Sequence, residues 1–329
     1  MRIVLTGATG FFGGQIAEAL LKAEHQVIAF TRGTGRLRNR AGLHERDADF
    51  TKPTTSDVEV LRTADAVIHA AALVKSWARD PHEFDRVNVA GSETFLRAAA
   101  DAGVKKIVHV SSFIALGPDR GGGAKTERDF NPGPLRNDYE RTKTLGLHAV
   151  RNLRGAGLPI QIVFPGVMYG PGPLTDGNLV VKMILDLANK KLPGYIGSGS
   201  VRWSYTWAAE AAKAVATLIE QAPSAQDYCL GGDNRTTLEF FDLLPKYLGH
   251  PIPHRSLPVW LGHAVGALEL LKANLTGVQP KLTPAIVRIY QESWPLDSSA
   301  AVRDLGYTPP TLEEGLERTV EWLRKEGKL

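Results

Sequence analysis

The segment that most limits what this chain can fold into lies within its first fourteen residues. An apolar run from Ile3 to Leu5 leads into a turn with glycines at Gly7, Gly10 and Gly13, and a helix-like pattern follows. This order is typical of a dinucleotide-binding unit: Gly7 permits a tight turn, Gly10 lets the backbone approach a pyrophosphate, and Gly13 lets the helix pack against the strand. The unpaired amides and the dipole at the helix start favour an anion, so a plain glycine turn is the weaker interpretation.

Apolar runs of strand length alternate with segments of helix length through the first half of the chain. The predicted strands are 3–5, 27–30, 66–70, 106–110, 160–164 and 227–230, and the predicted helices are 11–23, 85–102 and 139–156. Continuous apolar strands separated by helices indicate a parallel sheet covered on both faces, with ligands at the carboxyl ends of its strands. The sequence therefore predicts an α/β fold with a Rossmann-type, doubly wound parallel sheet.

Glycines and prolines break the periodicity in the segment 165–173. We therefore predict that the chain leaves the sheet there and forms a smaller, discontinuous substrate-binding domain over the strand ends. The predicted dinucleotide-binding domain comprises residues 1–165 plus 203–232. The predicted substrate domain comprises residues 166–202 plus 233–329.

Composition disfavours several classes of protein. The net charge of +4 is scattered over 329 residues, which argues against a nucleic-acid-binding face. Cys229 is the only cysteine, so an intrachain disulfide is impossible, a cysteine-based zinc site lacks its ligands, and no metal is expected. A reducing, cytoplasmic location suits this composition, and the chain starts with strand and turn signals instead of an export signal.

The most apolar later stretch is 257–275, which His263, Glu269 and Lys272 interrupt. It is too polar for a comfortable membrane span, so no span is predicted. We interpret it as an amphipathic helix that contributes Trp260 to the lining of a substrate site.

The end of the second predicted strand bears on the choice of cofactor. In dinucleotide-binding folds an acid there binds the ribose 2′-hydroxyl, whereas an arginine accommodates a 2′-phosphate. This chain has Thr31 and Arg32, within a basic cluster that includes Arg36, Arg38 and Arg40. The guanidinium fork favours NADP(H) over NAD(H). The alternative is that Arg32 lies over the adenine or faces solvent.

Hydroxyl and ammonium groups converge on the same predicted sheet edge. Tyr139 and Lys143 lie four residues apart on a predicted helix, so both project from one face, and we expect the ammonium to lower the pKa of the phenol. Ser111 and Ser112 follow the strand 106–110, where a hydroxyl can hold a substrate oxygen without a metal. The alternative for each serine is a loop cap.

The glycine loop, the serine-bearing strand end and the Tyr139/Lys143 spacing together resemble the extended short-chain dehydrogenases/reductases, also known as the NAD-dependent epimerase/dehydratase family. The resemblance implies that Tyr139 is the acid/base, that Lys143 also binds the nicotinamide ribose, and that Ser112 orients the substrate. It also implies a homodimer formed through first-domain helices. The implied cofactor contacts are Gly7, Thr9, Gly10, Phe11, Phe12, Gly13, Thr31, Arg32, Asp49, Phe50, Ala70, Ala71, Ala72, Tyr139, Lys143, Pro165, Gly166 and Val167.

Within this family the chain most resembles the dihydroflavonol-4-reductase-like enzymes and plant farnesol dehydrogenase. The segments that carry this resemblance are 112–117, 139–143 and 192–199. The farnesol dehydrogenase resemblance leans toward NAD, whereas Arg32 favours NADP. Two departures are Phe164 where many relatives have arginine before Pro165, and Ala209-Glu210 where they have two aspartates.

The candidate substrate-contacting residues are mostly aromatic, and we predict a hydrophobic small molecule of terpenoid, steroid-like or aromatic type; these residues are Trp77, Phe113, Met168, Tyr195 and Trp203. Core packing is the alternative for Trp203 and for Trp207. The predicted function is interconversion of an alcohol and a carbonyl. The alternatives are a nucleotide-sugar epimerase/dehydratase, which Arg202 would suit, and a non-catalytic dinucleotide sensor.

Overall fold

The computed structural model describes residues 1–37, 40–221 and 226–329. Arg38 of the basic cluster lies outside the described residues. The strands, in chain order, are β1 Arg2–Thr6, β2 Gln26–Thr31, β3 Leu43–Asp47, β4 Ala66–His69, β5 Ile107–Val110, β6 Ile160–Pro165, β7 Val167–Tyr169, β8 Gly194–Ile196, β9 Arg202–Trp207, β10 Tyr228–Leu230, β11 Asp233–Thr236 and β12 Arg255–Leu257.

Helices connect these strands and cover the sheets. The α-helices are α1 Phe11–Lys22, α2 Thr55–Arg62, α3 His82–Asp85, α4 Ser92–Asp101, α5 Asp138–Gly155, α6 Leu179–Ala188, α7 Ala208–Glu220, α8 Thr237–Leu248, α9 Val259–Thr276, α10 Pro284–Ile289, α11 Ser299–Leu305 and α12 Leu312–Lys325. A π-helical segment, Arg86–Gly91, joins α3 to α4, and 3-10 turns occupy Phe113–Ala115 and Asp176–Asn178. The single helix predicted over 85–102 is therefore π-helical in its first part.

A seven-stranded parallel sheet is the centre of the molecule. Its strand order is β10-β6-β5-β4-β1-β2-β3, and every pair in it is parallel. Side chains of β1 alternate between the faces, since Ile3 and Leu5 pack with α1 and α7 while Val4 packs with α4 and α5. The predicted α/β fold with a doubly wound parallel sheet is confirmed.

The sequence patterns did not predict β3 and α2. Strand β3 lies at the sheet edge and is mostly polar. Its side chains Glu45 and Asp47 accept hydrogen bonds from amides of the loop 33–37. Helix α2 starts at Thr54, which forms a reciprocal capping box with Asp57. Neither element has the apolar periodicity on which the prediction depended.

Two smaller sheets lie beyond the large one, with orders β11-β9-β7 and β12-β8. They pack with α6, α8 and α12 around a third apolar cluster that includes Phe240, Phe241 and Leu316. Strand β9 lies in the smaller three-stranded sheet, whereas α7, which follows it, packs on α1. The division into 1–165 plus 203–232 and 166–202 plus 233–329 stays a prediction.

Helix α9 differs from the amphipathic helix that the sequence predicts. Its buried positions are Gly262, Gly266 and Ala273, while Trp260 and Leu268 are exposed to 69% and 68%. The larger apolar side chains therefore point outward, and the role of Trp260 in a substrate site stays a prediction. Among the described residues, no helix combines the length and apolar character needed to cross a bilayer.

Candidate active site

The glycine turn forms a narrow cradle between β1 and the end of β4. Gly7 has a φ of +80°, and a Cβ atom there would lie 2.7 Å from the carbonyl carbon of Ala70 and from the amide nitrogen of Ala71. The Gly10 amide donates to the Gly7 carbonyl at 2.9 Å. Helix α1 then starts with no side-chain cap and no acid in its first turn. The cradle fits the pyrophosphate of a dinucleotide, because its amides and dipole meet no competing carboxylate.

Two aromatic residues in this cradle are core residues. Phe11 and Phe12 are buried, and the Phe11 ring lies against the loop after β7, where a Cβ on Gly172 would come within 2.9 Å of it. Their backbone belongs to the first turn of α1, while their side chains pack in the molecule's interior. Thr9, in contrast, is exposed in the turn itself.

The loop after β2 carries the residues that the sequence associates with the choice of cofactor. The Thr31 hydroxyl donates to the Gly33 carbonyl at 2.7 Å, which fixes the turn. The Glu45 carboxylate accepts from the amides of Gly35, Arg36 and Leu37. Arg32 and Arg36 are exposed and form no ion pair within the described residues. The carboxylates of this loop are thus occupied by backbone, and two guanidinium groups stay available to an anion.

Asp49 and Phe50 follow β3 near the same edge. The Asp49 carboxylate accepts from the Thr51 amide at 2.9 Å and from its hydroxyl at 2.7 Å, forming a local turn. The Phe50 ring packs edge-on against His69, with ring centroids 4.9 Å apart.

The segment Ala70, Ala71 and Ala72 continues from β4 beside the cradle. The Ala71 amide donates to the Thr6 hydroxyl at 3.2 Å, and Ala70 and Ala71 form the wall that Gly7 approaches. The structure therefore brings this segment together with the glycine turn.

Ser112 and Tyr139 meet at the carboxyl edge of the sheet. Ser112 is buried where β5 gives way to a 3-10 turn, and its hydroxyl accepts from the Ile114 amide at 3.4 Å. Tyr139 lies in the first turn of α5, which Asn137 caps by accepting from the Glu140 amide at 2.8 Å. The side chains of Tyr139 and Ser112 lie beside each other, so that Ser112 influences the pKa of the phenol. Ser111 is buried too, with no hydrogen-bond partner for its hydroxyl among the described residues.

Lys143 lies one turn after Tyr139 and is buried. Its ammonium donates to the Val110 carbonyl at 3.4 Å, and burial lowers its pKa to about 8. Burial raises the pKa of Tyr139, and the neighbouring Ser112 hydroxyl lowers it by less. The expectation that Lys143 lowers the pKa of Tyr139 is wrong for this structure, because the cost of burying the phenolate dominates.

Two buried histidines stack behind Lys143. The rings of His69 and His109 have centroids 5.5 Å apart. His69 is hydrogen-bonded to Thr6 at 2.7 Å and to Ser92 at 2.9 Å, and burial, with a smaller effect of the Lys143 charge, lowers its pKa to about 3. Both rings are therefore neutral at physiological pH.

Asn88 holds the loop after β4 against α5. Its side chain accepts from the Leu73 amide at 2.7 Å and donates to the Leu73 carbonyl at 3.2 Å and to the Thr142 hydroxyl at 3.1 Å.

A buried ionic group next to Tyr139 escaped the sequence patterns entirely. The Glu140 carboxylate accepts from the Asn131 side chain at 3.0 Å and from the Arg136 amide at 2.7 Å, and it pairs with the Arg136 guanidinium. Arg136 also pairs with Glu292. Charged residues in a helix are normally exposed, so the sequence offered no signal for this network.

Pro165, Gly166 and Val167 connect the large sheet to the smaller one. A Cβ atom on Gly166 would lie 2.5 Å from the Ser204 carbonyl oxygen and 2.6 Å from the Thr206 hydroxyl. The Gly166 amide donates to the Leu230 carbonyl at 3.3 Å. Gly166 thus allows β9 to pass close to the end of β6.

Aromatic side chains gather beside Ser112. Phe113 packs against Trp294 and Trp203, with centroids 5.6 and 6.4 Å away, and Trp203 packs against Tyr290 at 5.8 Å. The structure thus brings together Phe113 and Trp203 of the predicted substrate contacts. It also adds Tyr290, which is 39% exposed and which the sequence patterns did not single out.

The remaining substrate candidates lie elsewhere. Tyr195 packs against Phe241 with centroids 5.1 Å apart, and Met168 packs against the cluster on the α1 side of the large sheet. The Trp77 indole donates to the Asn274 side chain at 3.2 Å, linking the loop after β4 to α9. Trp207 packs against Tyr169 in the core, as its alternative interpretation held.

Comparison with protein families identifies the chain. Residues 3–231 match the NAD dependent epimerase/dehydratase family, and this range includes the glycine cradle, Ser112 and Tyr139. The chain belongs to this family. The predicted membership of the extended short-chain dehydrogenases/reductases is confirmed.

Relatives of known description extend over nearly the whole chain. The sterol demethylase protein B of Methylococcus capsulatus is 27% identical over 100% of both chains. A putative dihydroflavonol 4-reductase of Synechocystis is 24% identical over 98% of this chain and 94% of its own. A ketoreductase of Stigmatella aurantiaca, described as acting on 4-hydroxy-2-methyl-3-oxo-4-farnesyl-3,4-dihydroquinoline-1-oxide, is 26% identical over 96% of this chain and 95% of its own.

Solved structures share the fold. The crystal structure of gox2253 superposes with a TM-score of 0.80 at 25% identity and covers 100% of this chain and 99% of its own. A UDP-glucuronic acid 4-epimerase from Bacillus cereus, solved in complex with UDP-glucuronic acid and NAD, gives a TM-score of 0.76 at 21% identity, with 99% of this chain and 100% of its own covered. At that identity the second likeness shows the fold alone.

Proposed function

We propose that this protein is an NADP(H)-preferring oxidoreductase that interconverts an alcohol and a carbonyl on a hydrophobic small molecule. The observation that carries the proposal is that Tyr139 lies beside the buried Ser112, at the edge of the sheet and next to an aromatic cluster. Reductases among the relatives support the class of reaction.

The proposed roles follow from the chemistry of each group. In reduction the Ser112 hydroxyl holds the substrate oxygen and Tyr139 donates a proton to it; in oxidation Tyr139 takes that proton back. Because burial keeps the phenol protonated at neutral pH, it is ready to act as the donor. A bound nicotinamide dinucleotide would supply or accept the hydride. The buried Lys143 ammonium, one turn along α5, would bind the nicotinamide ribose, as the family resemblance implies.

NADP(H) is proposed over NAD(H) on the evidence of charge. Arg32 and Arg36 have no acidic partner within the described residues, while Glu45 and Asp47 are engaged by loop amides. A 2′-phosphate would therefore meet two guanidinium groups that have no ion-pair partner among the described residues, while loop amides bind the nearby carboxylates.

A hydrophobic substrate is proposed because Phe113, which follows Ser112 in the chain, packs against Trp203, and Trp203 packs against Tyr290. Aromatic rings offer apolar area with few polar demands, which suits a terpenoid, steroid-like or aromatic ligand. A cytoplasmic location and a homodimer stay predictions from the sequence.

The proposal is tested by following the absorbance of NADPH and NADH with a panel of ketones, terpenoid aldehydes and nucleotide sugars. We expect net NADPH oxidation with an apolar carbonyl and loss of turnover in Tyr139→Phe with cofactor binding retained. Tyr247→Phe, on the remote helix α8, is the matched control and should keep wild-type turnover. Wild-type turnover in Tyr139→Phe would show that another group moves the proton.

The second candidate is a nucleotide-sugar epimerase or dehydratase, in which the cofactor is reduced and reoxidised within one cycle. Arg202 favours it, because this exposed residue precedes Trp203 at the aromatic cluster and its guanidinium donates to the Asn234 carbonyl at 3.3 Å. Conversion of a nucleotide sugar without net change in NADPH or NADH would establish this alternative. Tight dinucleotide binding with no conversion of any panel member would favour a sensor.

A further inference from the structure

Helix α9 presents a continuous apolar face to its surroundings. The face consists of Trp260, Ala264, Leu268, Leu271 and Leu275, which recur every three or four residues and so share one side of the helix. Trp260, Leu268, Leu271 and Leu275 are 69%, 68%, 57% and 75% exposed. At about 1.5 Å per residue the face is about 22 Å long, and such contiguous apolar surface marks an interaction site.

The opposite side of α9 fixes this orientation. A Cβ atom on Gly266 would lie 2.8 Å from the Thr283 carbonyl carbon, and one on Gly262 would lie 3.0 Å from the Ile196 side chain. Only residues without bulk fit there, so α9 packs tightly on the segment before α10. The large apolar side chains cannot turn inward without lifting the helix off the protein.

Cationic residues occur near the carboxyl end of α9: Lys272 on the helix, Arg79 beside its end, Lys75 on the same loop as Arg79, and Lys281 in the segment that follows the helix. Lys75, Arg79, Lys272 and Lys281 are all exposed, and none forms an ion pair within the described residues. The Arg79 guanidinium lies beside Gly277 at the end of α9, 3.5 Å from where a Cβ would stand. The hydrogen bond from Trp77 to Asn274 holds the loop that carries Lys75 and Arg79 against the helix.

The carboxylates near these cations are already engaged. Glu269 accepts from the Lys281 amide at 3.5 Å, and Asp80 pairs with Arg86 at 2.7 Å. Asp176 pairs with Lys182 at 2.9 Å and also accepts from Gln279. The surface beside the apolar face therefore has an unbalanced positive charge.

We propose that the α9 apolar face docks on the surface of an anionic lipid bilayer. Its leucines and Trp260 would enter the boundary between headgroups and acyl chains, and the four cations would meet the lipid phosphates. A second copy of the chain fits less well, because it would cover the apolar side chains without supplying an anionic partner for the cations. An anionic bilayer would bury the apolar side chains and would also supply phosphates for the cations.

The test is sedimentation of the purified full-length protein with vesicles, which needs no turnover and so is independent of the proposed reaction. Wild type should bind vesicles of phosphatidylcholine mixed with phosphatidylglycerol and bind pure phosphatidylcholine more weakly. The double variant Leu268→Glu/Leu271→Glu should lose binding about tenfold or more, because charges in the apolar boundary are costly. Val302→Glu, at an exposed apolar residue on the remote helix α11, should bind as wild type.

The charge contribution has its own variants. Arg79→Glu/Lys272→Glu should weaken binding to phosphatidylglycerol vesicles at least about tenfold, since each cation contributes about 1 kcal/mol near an anionic surface. Lys105→Glu, an exposed cation elsewhere, should change binding little. Because the substituted residues are exposed, thermal unfolding should match wild type; if a glutamate variant unfolds, Leu275→Ser is the milder substitute.

Two results would overturn the proposal. One is equal sedimentation of wild type and the folded α9 variants with anionic vesicles, or no sedimentation of wild type. The other is a lipid-free dimer that Leu268→Glu/Leu271→Glu dissociates in analytical ultracentrifugation without any vesicle binding, which would assign the face to a second copy.

Discussion

The backbone of Gly13 packs directly onto the carbonyl group of Gly7. A Cβ atom on Gly13 would lie 2.0 Å from that oxygen and 2.5 Å from its carbon. Both contacts are with backbone, which cannot rotate aside, so Gly13→Ala must move α1 away from the cradle. We expect it to lower the free energy of unfolding by about 1–3 kcal/mol and to weaken dinucleotide binding, as measured by denaturant titration and calorimetry.

The neighbouring glycine supplies the matched control. A Cβ on Gly14 would lie 3.4 Å from the Ala8 carbonyl oxygen, which is an ordinary contact, and its backbone is helical. Gly14→Ala should therefore leave binding unchanged and stabilise the helix by up to about 1 kcal/mol. Equal effects of the two substitutions would mean that the Gly13–Gly7 contact does not shape the cradle.

Replacing Arg32 tests the charge at the end of β2. Arg32→Ala should raise the dissociation constant for NADPH about tenfold or more, since a hydrogen bond to a charged group contributes about 1.5–3 kcal/mol. NADH lacks the 2′-phosphate, so its dissociation constant should change little. Arg97→Ala, an exposed arginine on α4, is the control. An equal rise in the dissociation constants of NADPH and NADH would mean that Arg32 contacts a group that both cofactors share.

Lys143 should destabilise the fold at neutral pH. Its folded pKa is about 8 against an ordinary value of 10.5, so between these values the unfolded chain holds a proton that the folded chain lacks. Stability therefore rises with pH across this window, and the cost of the buried charge is full below pH 8. Removing it in Lys143→Met should raise the free energy of unfolding by about 1–3 kcal/mol at pH 7, while turnover is lost.

The diagnostic quantity is the difference in unfolding free energy between Lys143→Met and wild type at pH 6, 7, 8 and 9. It should be constant up to about pH 7 and shrink as pH rises through 8. Lys105→Met, at an exposed lysine, should show no such trend. A difference in unfolding free energy that does not change with pH would mean that burial of the Lys143 ammonium costs no stability.

Local sequence patterns predicted the strands and helices that residues close together in the sequence define. The glycine turn, β1 and α1 follow each other in sequence, and the apolar strands are buried on both faces. Strand β3 and helix α2 were missed because capping and carboxylate-to-amide hydrogen bonds define them. Helix α9 was interpreted wrongly because leucine content indicates an apolar face, but only the packing of Gly262 and Gly266 decides which side is buried.

Some features of the candidate site could likewise be predicted from the sequence, and others could not. Spacing and strand ends selected Tyr139, Lys143 and the two serines Ser111 and Ser112, and the family resemblance singled out Ser112, which lies beside Tyr139. Contacts between distant segments, such as Phe113 with Trp203, depend on how the smaller sheets pack. The raised pKa of Tyr139 was unpredictable from spacing, because burial is a property of the whole fold.

Acid should destabilise the protein through His69. Its folded pKa is about 3 against an ordinary 6.5, so below pH 6.5 the unfolded chain binds a proton that the folded chain excludes. The free energy of unfolding should therefore fall by up to about 1.4 kcal/mol per pH unit for this residue, and His109, whose pKa burial also lowers, adds to the slope.

Denaturant titrations at pH 7, 6 and 5 should show a shallower slope for His69→Gln than for wild type. His148→Gln, at an exposed histidine, should keep the wild-type slope. An unchanged slope in His69→Gln would mean that this ring accepts a proton in the folded protein.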